Sequence, residues 1–155
     1  SLQMKKRCHA SVLVRALGLE STGDTQGMFT DVFGHWARKE IEIAGRYGIV
    51  KGVGGNKFSP DEKMTRAQMA VVLSRVMNMS ISTPSGDIIT DLSREIMEPV
   101  AGFSDVRYES LPWAYNEIVD MASKGILNGY PDGMFHPADY VSREQTAVLL
   151  TRIFK

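Results

Sequence analysis

At 155 residues, with 43% apolar and 23% charged side chains, the chain suits one compact core or a few small repeats sharing one. Eighteen basic side chains against eighteen acidic ones leave no net charge, which excludes the basic excess of a general nucleic-acid or membrane-surface binder. Cys8 is the single cysteine, so an intrachain disulfide and a cysteine-rich zinc site are excluded as well.

The first expected element is a helix over Met4–Leu19, with Val12, Leu13, Ala16 and Leu17 as its apolar stripe. Met4-Lys5-Lys6-Arg7 is basic, but a hydrophilic helix follows it, so no secretory leader is expected here. The second helix is expected over His35–Tyr47, with Trp36, Ile41, Ala44 and Tyr47 at helical spacing. Gly48 stands where a left-handed C-terminal cap belongs. Gly52-Val53-Gly54-Gly55-Asn56-Lys57 is too rich in glycine to be helical, and Phe58 is the residue expected to plug this loop into the core. Ser59-Pro60-Asp61 then turns the chain into a helix over Arg66–Met77. Residues 79–102 read as a linker, with a short helix around Leu92–Met97. Beyond it the order repeats: a helix over Pro112–Lys124, a loop over Gly129-Tyr130-Pro131-Asp132-Gly133-Met134, and a helix over Arg143–Phe154.

That order is a duplication. A shift of 77 carries Trp36 to Trp113, Gly48 to Gly125, Gly52 to Gly129, Phe58 to Phe135, Arg66 to Arg143 and Arg75 to Arg152. Phe29-Thr30-Asp31-Val32 matches Phe103-Ser104-Asp105-Val106 with a shift of 74, so the second copy has three extra residues between its Asp and its Trp. A shift of 60 maps Met4 to Met64, Ala10 to Ala70, Leu13 to Leu73 and Arg15 to Arg75. Residues 1–27 therefore read as the second half of a partial repeat, 28–78 and 103–155 as complete repeats, and 79–102 as the linker. One helix pair cannot bury both of its apolar stripes, so the copies are expected to pack together as an all-α fold.

Phe29-Thr30-Asp31-Val32, Trp36-Ala37, Gly48-Ile49-Val50-Lys51-Gly52, Phe58-Ser59-Pro60-Asp61 and Thr65-Arg66-Ala67-Gln68 together resemble the S-layer homology repeat. The resemblance implies a pseudo-threefold helical bundle with ligand grooves between neighbouring repeats. It also implies a secreted protein at the bacterial cell surface, held to the wall by an anionic secondary polysaccharide carrying pyruvylated N-acetylmannosamine. The family's T-R-A-E appears as Thr65-Arg66-Ala67-Gln68 and Ser142-Arg143-Glu144-Gln145, and the partial copy has Lys5-Lys6-Arg7-Cys8 in its place.

Thr65 with Gln68, and Ser142 with Gln145, have the spacing of a helix capping box. The box does not explain Lys6, Arg66 and Arg143, because a cation in the first turn opposes the macrodipole by about 0.3–1 kcal/mol. An anion there would draw free backbone N–H groups, the dipole and the guanidinium onto one carboxylate. The competing reading pairs the arginines with nearby acids such as Asp31 or Asp105. Those two aspartates read first as caps or turn formers. Gly52 and Gly129 read first as suppliers of backbone angles forbidden to other residues, and secondly as points of close sugar approach. Lys51 and Asn128, just before them, offer donors to hydroxyls. Trp36 and Trp113 read as core before sugar platform.

The histidines lack metal-ligand spacing and no carboxylate pair recurs between the copies, so neither metal, cofactor nor catalysis is expected. No stretch approaches eighteen apolar residues, so no membrane span is expected either. The rival readings are a peptide-binding or self-assembling module, with a second copy of the chain completing the partial repeat, and an enzyme whose site lies in residues 79–102.

Overall fold

The computed structural model describes residues 3–21, 27–78 and 102–153. They contain five helices: α1 Lys6–Ala16, α2 Arg38–Arg46, α3 Arg66–Met77, α4 Tyr115–Ser123 and α5 Arg143–Ile153. Strand pairing among them is confined to isolated bridges, so the fold is all-α. Residues 79–101 of the proposed linker, with its short helix, lie outside the described residues. None of the described helices is long and apolar enough to cross a membrane.

α3 begins and ends as its periodicity predicts, but α2 and α4 start three residues late. The Trp-Ala dipeptide of each copy forms a turn ahead of the helix rather than its first turn. Gly48 and Gly125 adopt φ of 72° and 68°, the left-handed conformation that a glycine tolerates without steric cost. Behind them Ile49 N–H reaches Ala44 O at 3.0 Å and Ile126 N–H reaches Met121 O at 3.0 Å, closing both helices as Schellman motifs.

The chain gathers into two compact units, Ser1–Arg66 with Asp139–Lys155, and Ala67–Ala138. In the first unit α1 packs against α2. Ala10, Leu13 and Val14 of α1 and Ile41, Ile43 and Ala44 of α2 are buried, joined by Phe29, Val32, Ile49 and Phe58. Leu13 is thus buried as its stripe predicts, whereas Ala16 is exposed and His9 is buried instead. In the second unit the buried set includes Leu73, Val76, Ala114, Ile118, Met121, Leu127 and Phe135.

The first unit also holds the residues just ahead of the three closing helices. Gln3 bridges to Ser142, Lys5 to Lys63, and Thr65 to Tyr140. In repeat terms each N-cap position meets the residue two before the N-cap of another copy, so the three segments pair in a closed cycle. Met4 N–H donates to Val141 O at 3.4 Å and Val141 N–H to Met64 O at 2.9 Å, and these three residues are themselves equivalent.

Candidate functional site

Each copy builds the same loop, from the same parts. Asp31 accepts the N–H groups of Phe58 and Ser59 at 2.8 and 2.7 Å. Asp105 accepts those of Phe135 and His136, both at 2.8 Å. Ser59 and His136 each have φ of 57°, a conformation that costs a residue with a side chain roughly 1–2 kcal/mol. Two charge-assisted bonds at about 1.5–3 kcal/mol each more than offset that strain. These aspartates therefore cap no helix. They tie the end of the glycine loop to the start of the repeat, and Phe29 against Phe58 (5.4 Å between centroids) and Phe103 against Phe135 (5.3 Å) pack beneath. Burial raises the Asp31 carboxyl, but the N–H bonds from Phe58 and Ser59 outweigh it and hold the group below its ordinary value.

Gly52 and Gly129 need their small size rather than an unusual φ, which corrects the first reading of these residues. A Cβ on Gly52 would lie 2.5 Å from Lys57 O, and one on Gly129 would lie 2.3 Å from Phe103 Cε1. Val53 N–H bonds Lys57 O at 2.7 Å and Tyr130 N–H bonds Met134 O at 2.9 Å, closing both loops alike. Lys51 and Asn128 are exposed beside them.

The basic positions part company. Arg143 is exposed, whereas Lys6 and Arg66 are buried, Arg66 to 5%. Lys6 Nζ pairs with Glu62 at 2.9 Å. The expectation of free N–H groups at these helix starts is overturned for α1 and α3. Lys6 N–H donates to Glu62 O (2.7 Å), Arg7 N–H to Pro60 O (3.2 Å), Arg66 N–H to Asp139 O (2.8 Å) and Ala67 N–H to Pro137 O (3.0 Å). Carbonyls satisfy the N–H groups that an anion would have used. At α5 the capping box forms as its spacing predicts, with Gln145 N–H on Ser142 Oγ at 3.1 Å and Ser142 N–H on Gln145 Oε1 at 3.0 Å.

A cluster that the repeat pattern does not reveal lies at the start of α1. Asp61 meets Arg7, Lys5 Nζ at 3.5 Å and His35 Nε2 at 3.5 Å. With Lys6 and Glu62 beside it, two carboxylates face three permanent cations. Asp61 corresponds to Ala138, Arg7 to Ala67 and Glu144, and Lys5 to Thr65 and Ser142. A search for repeated positions therefore passes over all three. Next to His35, Trp36 is 61% exposed, and its equivalent Trp113 is 52% exposed. Neither is core, contrary to the first reading, because each lies in the turn before its helix. Phe33 is exposed too, with the Arg38 guanidinium 4.2 Å from its ring centroid.

Among the described residues no group of three or more His, Cys, Asp or Glu side chains is placed to hold a metal ion. The described residues thus present cations, exposed aromatic side chains and loop amides at the surface.

The profile of the S-layer homology domain matches residues 29–70 and 102–147. Cell surface glycoprotein 1 of Acetivibrio thermocellus is 32% identical over 122 residues, covering 76% of this chain and 5% of that protein. The cellulosome-anchoring protein of the same organism is 26% identical, covering 76% of this chain and 24% of its own length. The S-layer protein of Bacillus thuringiensis subsp. finitimus is 23% identical over 94% of this chain and 16% of its own. The chain thus spans between 5% and 24% of the length of these relatives. With the two matched segments spanning the opening helix and loop of each copy and the start of its closing helix, the chain belongs to the S-layer homology domain family.

Proposed function

We propose that this chain anchors a larger protein non-covalently to the bacterial cell wall, by binding an anionic, pyruvylated secondary wall polysaccharide, and carries out no chemistry itself. The relatives named for the cell surface, for anchoring and for the S-layer support a cell-surface location. The observation that carries the glycan reading is the exposure of Trp36 and Trp113 at equivalent positions. A large apolar ring left in water at the same place in both copies is better explained by a sugar face than by packing. In the first full copy Lys51 and Gly52, and in the second Asn128 and Gly129, offer loop donors and backbone to the ligand. Arg143 offers its guanidinium to a pyruvyl carboxylate. Lys5 and Arg7 contribute a second cationic locus through their cluster with Asp61 and His35. Lys6 and Arg66, being buried, set the local potential rather than touching the ligand. The cyclic pairing of the three pre-helix segments supports a pseudo-threefold bundle.

Co-sedimentation with purified walls, before and after hydrofluoric-acid removal of the secondary polymer, tests this reading. Retention only on the untreated walls is expected. Equal retention on stripped peptidoglycan would reject the polymer as ligand.

A further inference from the structure

Each full copy leaves a second ring in water ahead of its exposed tryptophan. Phe33 is 61% exposed and Tyr108 is 56% exposed. Each of these rings is held by the first residue of the helix that follows, where Arg38 and Tyr115 are equivalent. In the first copy the Arg38 guanidinium lies 4.2 Å from the Phe33 centroid. Glu42, only 2% exposed, fixes that guanidinium by accepting from Arg38 Nε at 3.3 Å. In the second copy Tyr115 meets Tyr108 edge to face, with 5.8 Å between centroids. Where the brace changes from Arg38 to Tyr115, the residue one turn further along the helix changes from Glu42 to Val119.

The two braced rings do not align in sequence. With shifts of 74 or 77, Phe33 falls opposite Arg107 or Ser110, and Tyr108 opposite Gly34 or Asp31. Different residues thus build one arrangement twice: an exposed ring held by the side chain two residues after an exposed tryptophan. Packing does not account for it, because a ring more than half in water gains little from burial, yet its ordering costs entropy. The chain between the rings is polar, with His35 between Phe33 and Trp36, and Glu109 and Ser110 between Tyr108 and Trp113. Separate rings among polar groups suit the mixed C–H and hydroxyl surface of a sugar, whereas a protein partner favours a continuous apolar patch. We infer that Phe33 and Tyr108 are second stacking residues, so that each full copy grips two neighbouring sugars of a glycan chain, one on its tryptophan and one on the braced ring. This rests on the reading of Trp36 and Trp113 as sugar faces.

The probes are pyruvylated N-acetylmannosamine as the monosaccharide and size-fractionated oligosaccharides of the purified wall polymer, each titrated into the full chain by calorimetry. The oligosaccharides should bind about tenfold or more tightly than the monosaccharide, the effect of one further aromatic anchor. Phe33→Ala combined with Tyr108→Ala should remove that advantage and leave monosaccharide binding unchanged, since the single sugar stays on a tryptophan. Phe33→Leu combined with Tyr108→Leu, apolar but without rings, should do the same, with folding of both pairs checked by circular dichroism. Phe33→Tyr combined with Tyr108→Phe keeps both rings and should keep the advantage. Equal affinity of the parent chain for both probes, or an oligosaccharide affinity that both ringless pairs retain, would overturn the inference and leave the tryptophan reading in place. So would self-association in sedimentation velocity that the ringless pairs abolish without loss of oligosaccharide affinity, since the rings would then serve a second copy of the chain. A parent chain that binds neither probe would reject the glycan reading itself, and the inference with it.

Discussion

His9 on α1 and Thr146 on α5 occupy the same position of two different copies, and their side chains meet, with Thr146 Oγ1 3.4 Å from His9 Nδ1. Thr146 gives its own hydroxyl proton to Ser142 O at 3.0 Å, leaving its oxygen to accept from the imidazole. His9 Nε2 is buried with no hydrogen-bond partner among the described residues. Burial pushes the His9 pKa down to about 4, against a smaller opposing effect from the Met4 backbone.

This lowered value makes the fold acid-sensitive. The unfolded chain takes up the proton near the ordinary pKa of 6.5, and the folded chain only near 4. The contribution is therefore complete above pH 6.5 and is lost as pH falls from about 6.5 to about 4, roughly 3 kcal/mol in all. Urea midpoints measured across that window should fall steeply for the native chain. His9→Met, the residue that the equivalent position 69 carries, should flatten the curve. An unchanged slope in His9→Met would place the acid sensitivity elsewhere.

The aspartate ties should matter equally for both loops. Asp31→Ala and Asp105→Ala each leave two N–H groups unpaired, one on a left-handed residue, at about 2–4 kcal/mol. Because the Asp31 carboxyl is held below its ordinary value of 3.8, its contribution persists above that pH and is lost as pH falls through the lower folded value. Denaturant unfolding of the two variants at neutral pH is the check.

Gly52→Ala and Gly129→Ala test whether size or backbone angle selects glycine there. Each added methyl would come within 2.5 Å of Lys57 O or of the Phe103 ring, and overpacking of this kind costs about 1–3 kcal/mol. Thermal melts should show both losses. An alanine variant as stable as the parent would mean that the loop yields without cost.

The repeat pattern made the five helices, the left-handed glycines and the twinned loops legible, because each rests on local spacing that occurs twice. It did not reveal what Asp31 does, since its partners lie 27 and 28 residues away. Trp36 and Trp113 read as core because apolar periodicity places them on the buried face of a helix that begins only after them. The Asp61 cluster was hidden because it breaks the repeat. The equality of Arg66 and Arg143 was misleading in the opposite sense: one residue type at one repeat position is buried in one copy and exposed in the other.

That difference makes Arg143 the informative residue for anchoring. Reversal of buried Arg66 would confound binding with unfolding, whereas Arg143→Glu changes an exposed side chain and places an acid where the helix dipole favours one. The decisive measurement is retention of the full chain and of Arg143→Glu on polymer-bearing walls, with the melting temperature recorded in parallel. Arg143→Glu should bind about tenfold or more weakly, as loss of a charge-assisted contact requires, and melt at or slightly above the parent temperature. Undiminished retention by a fully folded Arg143→Glu chain would contradict the proposed anion contact.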